Sequence, residues 1–488
     1  MQELRLLSPT EASRLRAFFR DSQYTADHVR NAAGITEFPS RRLRNQAQLM
    51  DRTSQPGCLN TLLRWFWVGV AVEQPSAESF VPSWFIASCL ECGLLRQSLQ
   101  GLVAGAMLVP WEEFLIASDH TLRFDAADPD LVLWPNPTSR LLSRFTIRRP
   151  SNLTLDLGTG SGVLALAAAA HSQRVVATDL NRRALSFTEF NARLNGIENI
   201  SCVAGDRFSP VQRCRFDLIV SNPPFFISPS DDFLFCDNPF ELDQLCHRLA
   251  QEAPAHLNEG GYFQMLCEWA QVHDERWEQR LAGWLQNTGC DAWVIKGFTQ
   301  DPSAYALEKI RGMDASPDHD EEKYAKYMDY YREKSVEAIH GGLVVMRRRS
   351  GQNWIRIEEM PHTPKVPFGD SVEWIFTSRD FLQSHEDDEQ MLRVKPRLSP
   401  HVQLEHTYDQ AERSWQLSSV TLRLVKGFPF SVGLQPLVAD FICRFDGTST
   451  VEELVKGFAQ GLSKTPESVQ PECLKVVRKL VESGFLLV

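Results

Sequence analysis

No apolar run in this chain approaches the ~18 residues that a membrane-spanning helix needs. The opening Met1-Gln2-Glu3-Leu4-Arg5-Leu6-Leu7-Ser8 also lacks the apolar core of a signal peptide. The expectation is a cytoplasmic protein with no membrane partner. Basic residues are in deficit: 51 Lys and Arg stand against 62 Asp and Glu, for a net charge of −11. That balance excludes a general electrostatic attraction to nucleic acid, while leaving room for a local basic patch. The eleven cysteines are scattered and odd in number, which fits reduced thiols better than a disulfide framework. Their one close pair, Cys89 and Cys92, has no second pair or histidine cluster to complete a zinc site. Phe85, Ile86, Leu90 and Leu94 around it read as a buried helix face, so core cysteines are expected and no metal site. No internal repeat or low-complexity tract stands out either.

What is present is ordinary globular composition, 43% hydrophobic and 23% charged over 488 residues, enough for two or three domains. Residues 1–118 read as mainly helical, with apolar runs at 61–72 and 82–92. Two short strands, 102–104 and 106–109, flank Gly105 as a small hairpin, so this module is expected to be winged-helix-like. From 119 to 350, apolar strands alternate with helical patterns. The strands are expected at 153–157, 174–178, 200–203, 216–220, 261–266, 292–295 and 343–346. Such alternation means a parallel sheet covered on both faces. Gly341-Gly342 before the last of them suits an antiparallel strand at the end of the sheet. An acidic, tyrosine-rich insert at 318–331 reads either as a solvated amphipathic helix or as a cap facing substrate.

Residues 351–415 are polar and hold several prolines, so a linker with possible strands is expected there. Residues 416–488 regain periodicity. Leu434, Leu437, Val438, Phe441 and Ile442 share a face, and Thr450 with Glu453 forms a capping box. Cys473, Val476, Val477, Leu480 and Val481 form a second stripe that Gly484 ends, which suggests another winged-helix-like unit.

The chemistry is concentrated in two motifs. Leu155-Asp156-Leu157-Gly158-Thr159-Gly160-Ser161-Gly162 leaves an apolar strand as a glycine turn and opens a helix. Glycines let a backbone approach a ligand closely, at the strand ends where nucleotides bind in doubly wound folds. The spacing is G-x-G-x-G, which argues against the G-x-G-x-x-G of dinucleotide enzymes. Asp179 follows the next strand, 23 positions after Asp156, where a carboxylate accepts both ribose hydroxyls of a nucleoside. Asp206 follows the third strand and is placed to hold an exocyclic adenine amine. For each aspartate the plainer reading is a helix N-cap. Asp156, Gly158, Thr159, Gly160, Gly162, Asp179, Leu180, Asp206, Arg207 and Asn222 are the cofactor-binding candidates.

The second motif, Asn222-Pro223-Pro224-Phe225, follows the apolar run Phe216-Asp217-Leu218-Ile219-Val220. Together the motifs resemble the class I S-adenosylmethionine-dependent methyltransferases, over roughly residues 130–350. Within them, Asn-Pro-Pro-Phe is similar to the branch that methylates planar nitrogens, whether nucleobase amines or the glutamine amide of release factors. The resemblance implies S-adenosyl-L-methionine as cofactor. It also implies an α/β fold: a Rossmann-like, seven-stranded methyltransferase sheet flanked by winged-helix-like modules.

A planar amine or amide nitrogen is a poor nucleophile because its lone pair is delocalised. The Asn222 side-chain oxygen and the Pro223 carbonyl can each accept one of its N–H bonds, orienting it and stabilising positive charge as it develops. Pro223 and Pro224 stiffen the loop, and Phe225 or Phe226 offers a stacking face. None of the twelve histidines is needed as a base. Pro135-Asn136-Pro137-Thr138-Ser139-Arg140 reads either as a closure over the cofactor or as an interdomain turn.

The layout also resembles, more loosely, bacterial small-domain methyltransferases related to the release-factor glutamine methyltransferases. The C-terminal unit resembles the small peptide-binding winged helices of the PqqD type, which favours a peptide or protein partner. For nucleic acid the best clusters are Arg41-Arg42-Leu43-Arg44 and Arg347-Arg348-Arg349, each read first as solvated surface. A macromolecular substrate is expected, with protein glutamine and RNA or DNA nucleobase acceptors both open. A cofactor-binding scaffold that grips partners through its end modules is the reading from another class. The pattern specifies no oligomeric state.

Overall fold

The computed structural model describes residues 4–35, 46–120, 128–230, 233–313, 320–360, 367–411, 414–428 and 430–488. Arg41-Arg42-Leu43-Arg44 and the first two residues of the acidic insert lie outside them. The chain forms two compact units, one of Met1–Ser143 with Pro150–Met360, the other of Arg144–Arg149 with Pro361–Val488.

The first unit opens with helices. Ser8 and Glu11 form a capping box at the start of Pro9–Asp21, closing donors that would otherwise face water. The apolar run expected at 61–72 divides into an α-helix, Cys58–Leu63, and a π-helical turn, Arg64–Val68. That turn buries Trp65, Phe66 and Trp67 almost completely. Cys89 and Cys92 are buried in the same core. Four short strands follow: β1 (Leu95–Ser98), β2 (Gly101–Ala104), β3 (Met107–Trp111) and β4 (Phe114–Ser118). Here the expected hairpin is corrected. The strands on either side of Gly105 do not pair with each other, since β2 pairs with β1 and β3 with β4. Between the two ribbons Gly105 lies against the Gly93 carbonyl, which leaves no room for a Cβ.

The central sheet contains β5 (Ser151–Leu157), β6 (Ser172–Asp179), β7 (Ile200–Ala204), β8 (Phe216–Ser221), β9 (Leu257–Val272), β10 (Cys290–Gln300), β11 (Val336–Arg348) and β12 (Ile355–Glu359). Their spatial order is β12-β10-β11-β9-β8-β5-β6-β7. All seven expected strands lie within β5–β11. Among the described residues the sheet has eight strands, so the expected seven-stranded sheet is corrected. The additional one, β12, pairs in parallel with β10 and comes from the stretch read as linker. A second correction concerns β11. It is antiparallel, as Gly341-Gly342 suggested, but it lies between β9 and β10 rather than at the end. Its Leu343, Val344, Val345 and Met346 are all buried, so both faces are covered there, and its two edges are paired with β9 and β10.

The helix Arg182–Asn195 ties the N-terminal helices to the central sheet. Ala184, Phe187, Phe190 and Leu194 join the N-terminal core. On the same helix, the Asn191 amide accepts from the Ala117 N–H at 2.7 Å and donates to its carbonyl at 2.8 Å. One turn on, Asn195 does the same for Leu115. Two side chains thus complete the edge of β4 that no strand among the described residues pairs.

In the second unit the expected linker is corrected as well. Residues 369–384 form a 16-residue helix, Gly369–Ser384. Its Val372, Ile375 and Phe376 are buried at spacings of three and four, a helical stripe that charged neighbours hide in the sequence. A two-residue strand β13 (Arg397–Leu398) precedes an antiparallel sheet of β14 (Val402–Ala411), β15 (Ser414–Leu424) and β16 (Ser431–Leu434). Then come Pro436–Ile442, Val451–Gly461 and Pro466–Glu482. The Thr450–Glu453 capping box is present, and Cys473, Val477, Leu480 and Val481 are buried as the stripe requires. The three-stranded sheet precedes these helices, and after the last of them comes only β17 (Leu486–Leu487), paired with β13. No helix among the described residues is long and apolar enough to cross a membrane.

Candidate active site

The strand order reverses between β5 and β8: β6 and β7 lie to one side of β5, and β9 follows β8 on the other. Loops leaving the two strands diverge there, and a cleft forms at their carboxyl ends. It encloses about 1210 Å³ of non-atom space, part of it open to solvent. Both motifs meet in it.

Gly158 and Gly160 line the cleft with φ of 77° and 56°. A Cβ at either would meet nothing within 4 Å, so what glycine leaves open here is space for a ligand against bare backbone. Thr159 also lines the cleft. Its hydroxyl donates to Asp156 Oδ2 at 2.7 Å, and the Ala165 N–H reaches the same oxygen at 2.9 Å. Asp156 is thereby the staple of the turn. It is fully buried, is not among the cleft-lining residues, and its Oδ1 has no partner. Burial pushes its carboxyl up to about 7. Gly162 is likewise behind the cleft, as N-cap of the helix Val163–Ala169.

Asp179 faces the cleft from the end of β6. One oxygen accepts the Gly160 N–H at 2.9 Å and the other the Asn181 N–H at 2.8 Å, which ties the two loops together. Burial raises its carboxyl above the ordinary aspartate range, against these two bonds. The helix that follows is capped by Asn181, which accepts from the Arg183 N–H, so the N-cap reading of Asp179 does not hold. Leu180 is 61% exposed beside it. Asp206 and Arg207 line the far side. Arg207 has a left-handed backbone, φ 46°, rare for a residue with a side chain and common at sites. Its guanidinium is held by Glu252 at 2.6 Å and Asp206 at 3.2 Å.

Asn222, Pro223 and Pro224 line the wall opposite the glycine turn. The Asn222 amide nitrogen donates to the Thr138 hydroxyl at 3.2 Å, while its Oδ1 is buried without a partner. An orphaned acceptor of this kind costs free energy unless something fills it. Phe225 is buried and does not line the cleft, which corrects its expected place as an open stacking face. Phe226 carries the Lys309 ammonium 3.6 Å from its ring centroid.

Beneath the motif lies a polar cluster that the sequence reading missed. Lys309 pairs with Glu268 at 3.0 Å, and the Tyr305 hydroxyl donates to the same carboxylate; all three are buried. The Ile227 N–H donates to the Tyr305 oxygen at 3.1 Å. From the acidic insert, Tyr331 donates to the Ile227 carbonyl at 2.7 Å, and Tyr324, Tyr327 and Tyr330 pack around it. So the insert is an amphipathic helix, Asp320–Glu333, mostly exposed as the first reading expected, and its tyrosine face also holds the motif loop. The spacing Tyr324, Tyr327, Tyr331 was a legible sign of one buried helix face. In the basic run Arg347-Arg348-Arg349, Arg347 is buried and the other two are half-buried. Arg347 and Arg349 reach the buried Asp291 at 2.6 and 3.6 Å, and Arg348 donates to the Pro254 carbonyl.

Residues 136–282 match the family described as methyltransferase small domain. Residues 373–488 match a domain of unknown function, DUF7782. A release factor glutamine methyltransferase of Bordetella pertussis is 37% identical over 177 residues, 32% of this chain and 64% of that protein. A putative protein N5-glutamine methyltransferase of Methanocaldococcus jannaschii is 30% identical over 139 residues, 27% of this chain and 70% of that one. A ribosomal protein uL3 glutamine methyltransferase of Bradyrhizobium diazoefficiens is 31% identical over 155 residues, 29% and 49% respectively. The chain spans roughly half to two thirds of the length of these curated relatives. The open backbone at Gly158 and Gly160 and the Asp179 carboxylate that lines the cleft beside them fit the cofactor that such proteins use. The chain belongs to the class I S-adenosylmethionine-dependent methyltransferases, whose cofactor is S-adenosyl-L-methionine.

Proposed function

We propose that this protein methylates the side-chain amide nitrogen of a glutamine in a protein substrate. The observation that carries the reading is the Asn222 Oδ1 atom, buried, unpartnered and set in the wall of the cofactor cleft. When bound, the cofactor supplies an electrophilic sulfonium methyl group. Asn222 Oδ1 accepts one N–H of the acceptor nitrogen and the Pro223 carbonyl accepts the other. Together they hold its lone pair toward the methyl and stabilise the positive charge that grows on the nitrogen. Gly158 and Gly160 admit the cofactor against their backbone, Asp179 accepts its ribose hydroxyls, and Asp206 its adenine amine. Leu180 and Arg207 flank the nucleoside.

A protein acceptor is favoured over a nucleobase by three observations. The relatives named above are glutamine methyltransferases. The net charge is −11. Of the two clusters singled out for nucleic acid, the described one has Arg347 buried against Asp291 and Arg348 bonded to the Pro254 carbonyl.

The test uses tritiated S-adenosylmethionine and an unmethylated cell extract, digested afterwards with protease, RNase or DNase. Label lost to protease alone supports the reading, whereas label lost to a nuclease makes this a nucleobase enzyme. Tight cofactor binding with no label returns the scaffold reading. Asn222→Ala is expected to leave cofactor affinity nearly unchanged and to cut turnover by roughly 10²–10³, the loss typical of one preorganised polar group.

A further inference from the structure

We propose that Thr138 is a positioning residue: it decides which end of the Asn222 amide faces the cleft. The inference rests on the reading of Asn222 as the group that holds the acceptor nitrogen.

An asparagine amide carries oxygen and nitrogen in nearly the same shape, so only its partners distinguish the two orientations. Here the partners form a chain whose first member is unambiguous. The Ser139 backbone N–H can only donate, and it reaches Asn136 Oδ1 at 2.9 Å, capping the helix Pro137–Phe145. That atom is therefore the oxygen of Asn136. The Thr138 hydroxyl lies 2.7 Å from the same oxygen and must donate its single proton there. What Thr138 presents to Asn222, 3.2 Å away, is a lone pair. Only an N–H can meet it, so Nδ2 points at Thr138 and the other end of the amide, Oδ1, is left buried without a partner on a residue that lines the cleft. The Ser139 hydroxyl, 3.5 Å from the same Nδ2, is a second acceptor at the limit of range.

In the reversed orientation two acceptors would face each other at that distance. The cleft would then present a donor to the acceptor nitrogen, whose own N–H bonds it would oppose. Thr138, 84 residues upstream and fixed by the helix cap Asn136, thus sets the polarity of the Asn222 amide. Thr138 acts through Asn222 and need not touch substrate.

The experiment compares Thr138→Val, Thr138→Ala, Thr138→Ser and Asn222→Ala with the full-length protein. Initial rates of tritium transfer from S-adenosylmethionine to extract protein are measured, with cofactor Kd by calorimetry. Thr138→Val and Thr138→Ala are expected to lower kcat about tenfold with Kd for the cofactor unchanged, and Thr138→Ser to restore kcat to within about twofold, since serine keeps the hydroxyl chain. Wild-type kcat in both Thr138→Val and Thr138→Ala, with Asn222→Ala inactive, overturns the inference and leaves the role of Asn222 standing. Wild-type kcat in Asn222→Ala overturns that role itself. If Thr138→Val does not fold, Thr138→Ala, which introduces no buried methyl group in place of the hydroxyl, carries the comparison. Failure of Thr138→Ser to recover activity also counts against it, because a residue needed only for packing tolerates serine no better than alanine.

Discussion

The Tyr331 hydroxyl donates to the Ile227 carbonyl at 2.7 Å, and both residues are almost fully buried. The second backbone group of Ile227, its N–H, is met by Tyr305. Two phenols from segments far downstream therefore fasten the loop that begins at Asn222, five residues before Ile227. The prolines of that loop stiffen it from within, and the tyrosines anchor its far end.

Tyr331→Phe removes one of these anchors without opening a cavity of any size. The Ile227 carbonyl is then buried and unpaired, at a cost of ~1–3 kcal/mol. The expected result in urea denaturation is a lower midpoint with unchanged slope. Turnover is expected to fall several-fold while cofactor affinity stays put, since the glycine turn is untouched. Turnover and midpoint both equal to wild type would mean that the loop holds its place unaided.

Asp179 joins the glycine turn to the next loop through Gly160 and Asn181. Asp179→Ala is expected to weaken cofactor binding by about 10–100-fold, the range for losing charge-assisted bonds worth ~1.5–3 kcal/mol. Because Asn181 caps the helix, the unliganded fold should lose little, with a melting shift under ~4 °C. Calorimetric titration alongside a thermal melt separates the two effects. Global unfolding would show that the carboxylate is structural first.

Asp156 gives the fold a pH dependence of calculable sign. Its folded pKa, raised to about 7 by burial, lies above the unfolded value near 3.8. Between those values the native state holds a proton that the unfolded state has released. This group's contribution to stability is therefore fully present below pH ~4 and declines until about pH 7, by up to ~4 kcal/mol. Asp156→Asn removes that decline. The difference in melting temperature, variant minus wild type, should rise from pH 4 to 7 and be level above. A difference independent of pH would place the Asp156 titration elsewhere.

Much of the site was readable because its signals are local. A glycine turn after an apolar strand, an aspartate at the end of the next, and Asn-Pro-Pro after the fourth occupy short stretches whose backbone preferences act over a few residues. The Thr450–Glu453 box was legible for the same reason, being a bond between neighbours. Phe225 was not, since whether an aromatic faces a cleft or a core depends on what packs behind it. Nor was the helix Gly369–Ser384, whose buried stripe is interrupted by charged residues that the polar composition of the segment made prominent.

The sequence by itself determined the alternation of strand and helix, the glycine turn after β5 and the stiff Asn-Pro-Pro loop after β8, because periodicity and turn chemistry are properties of adjacent residues. Only the tertiary structure decided that β11 enters between β9 and β10, that β12 extends the sheet, and that Arg347 turns inward to Asp291. It alone brought Thr138 to Asn222 and Tyr331 to Ile227. Those pairs lie 84 and 104 residues apart, and their contacts depend on the path of every element between them.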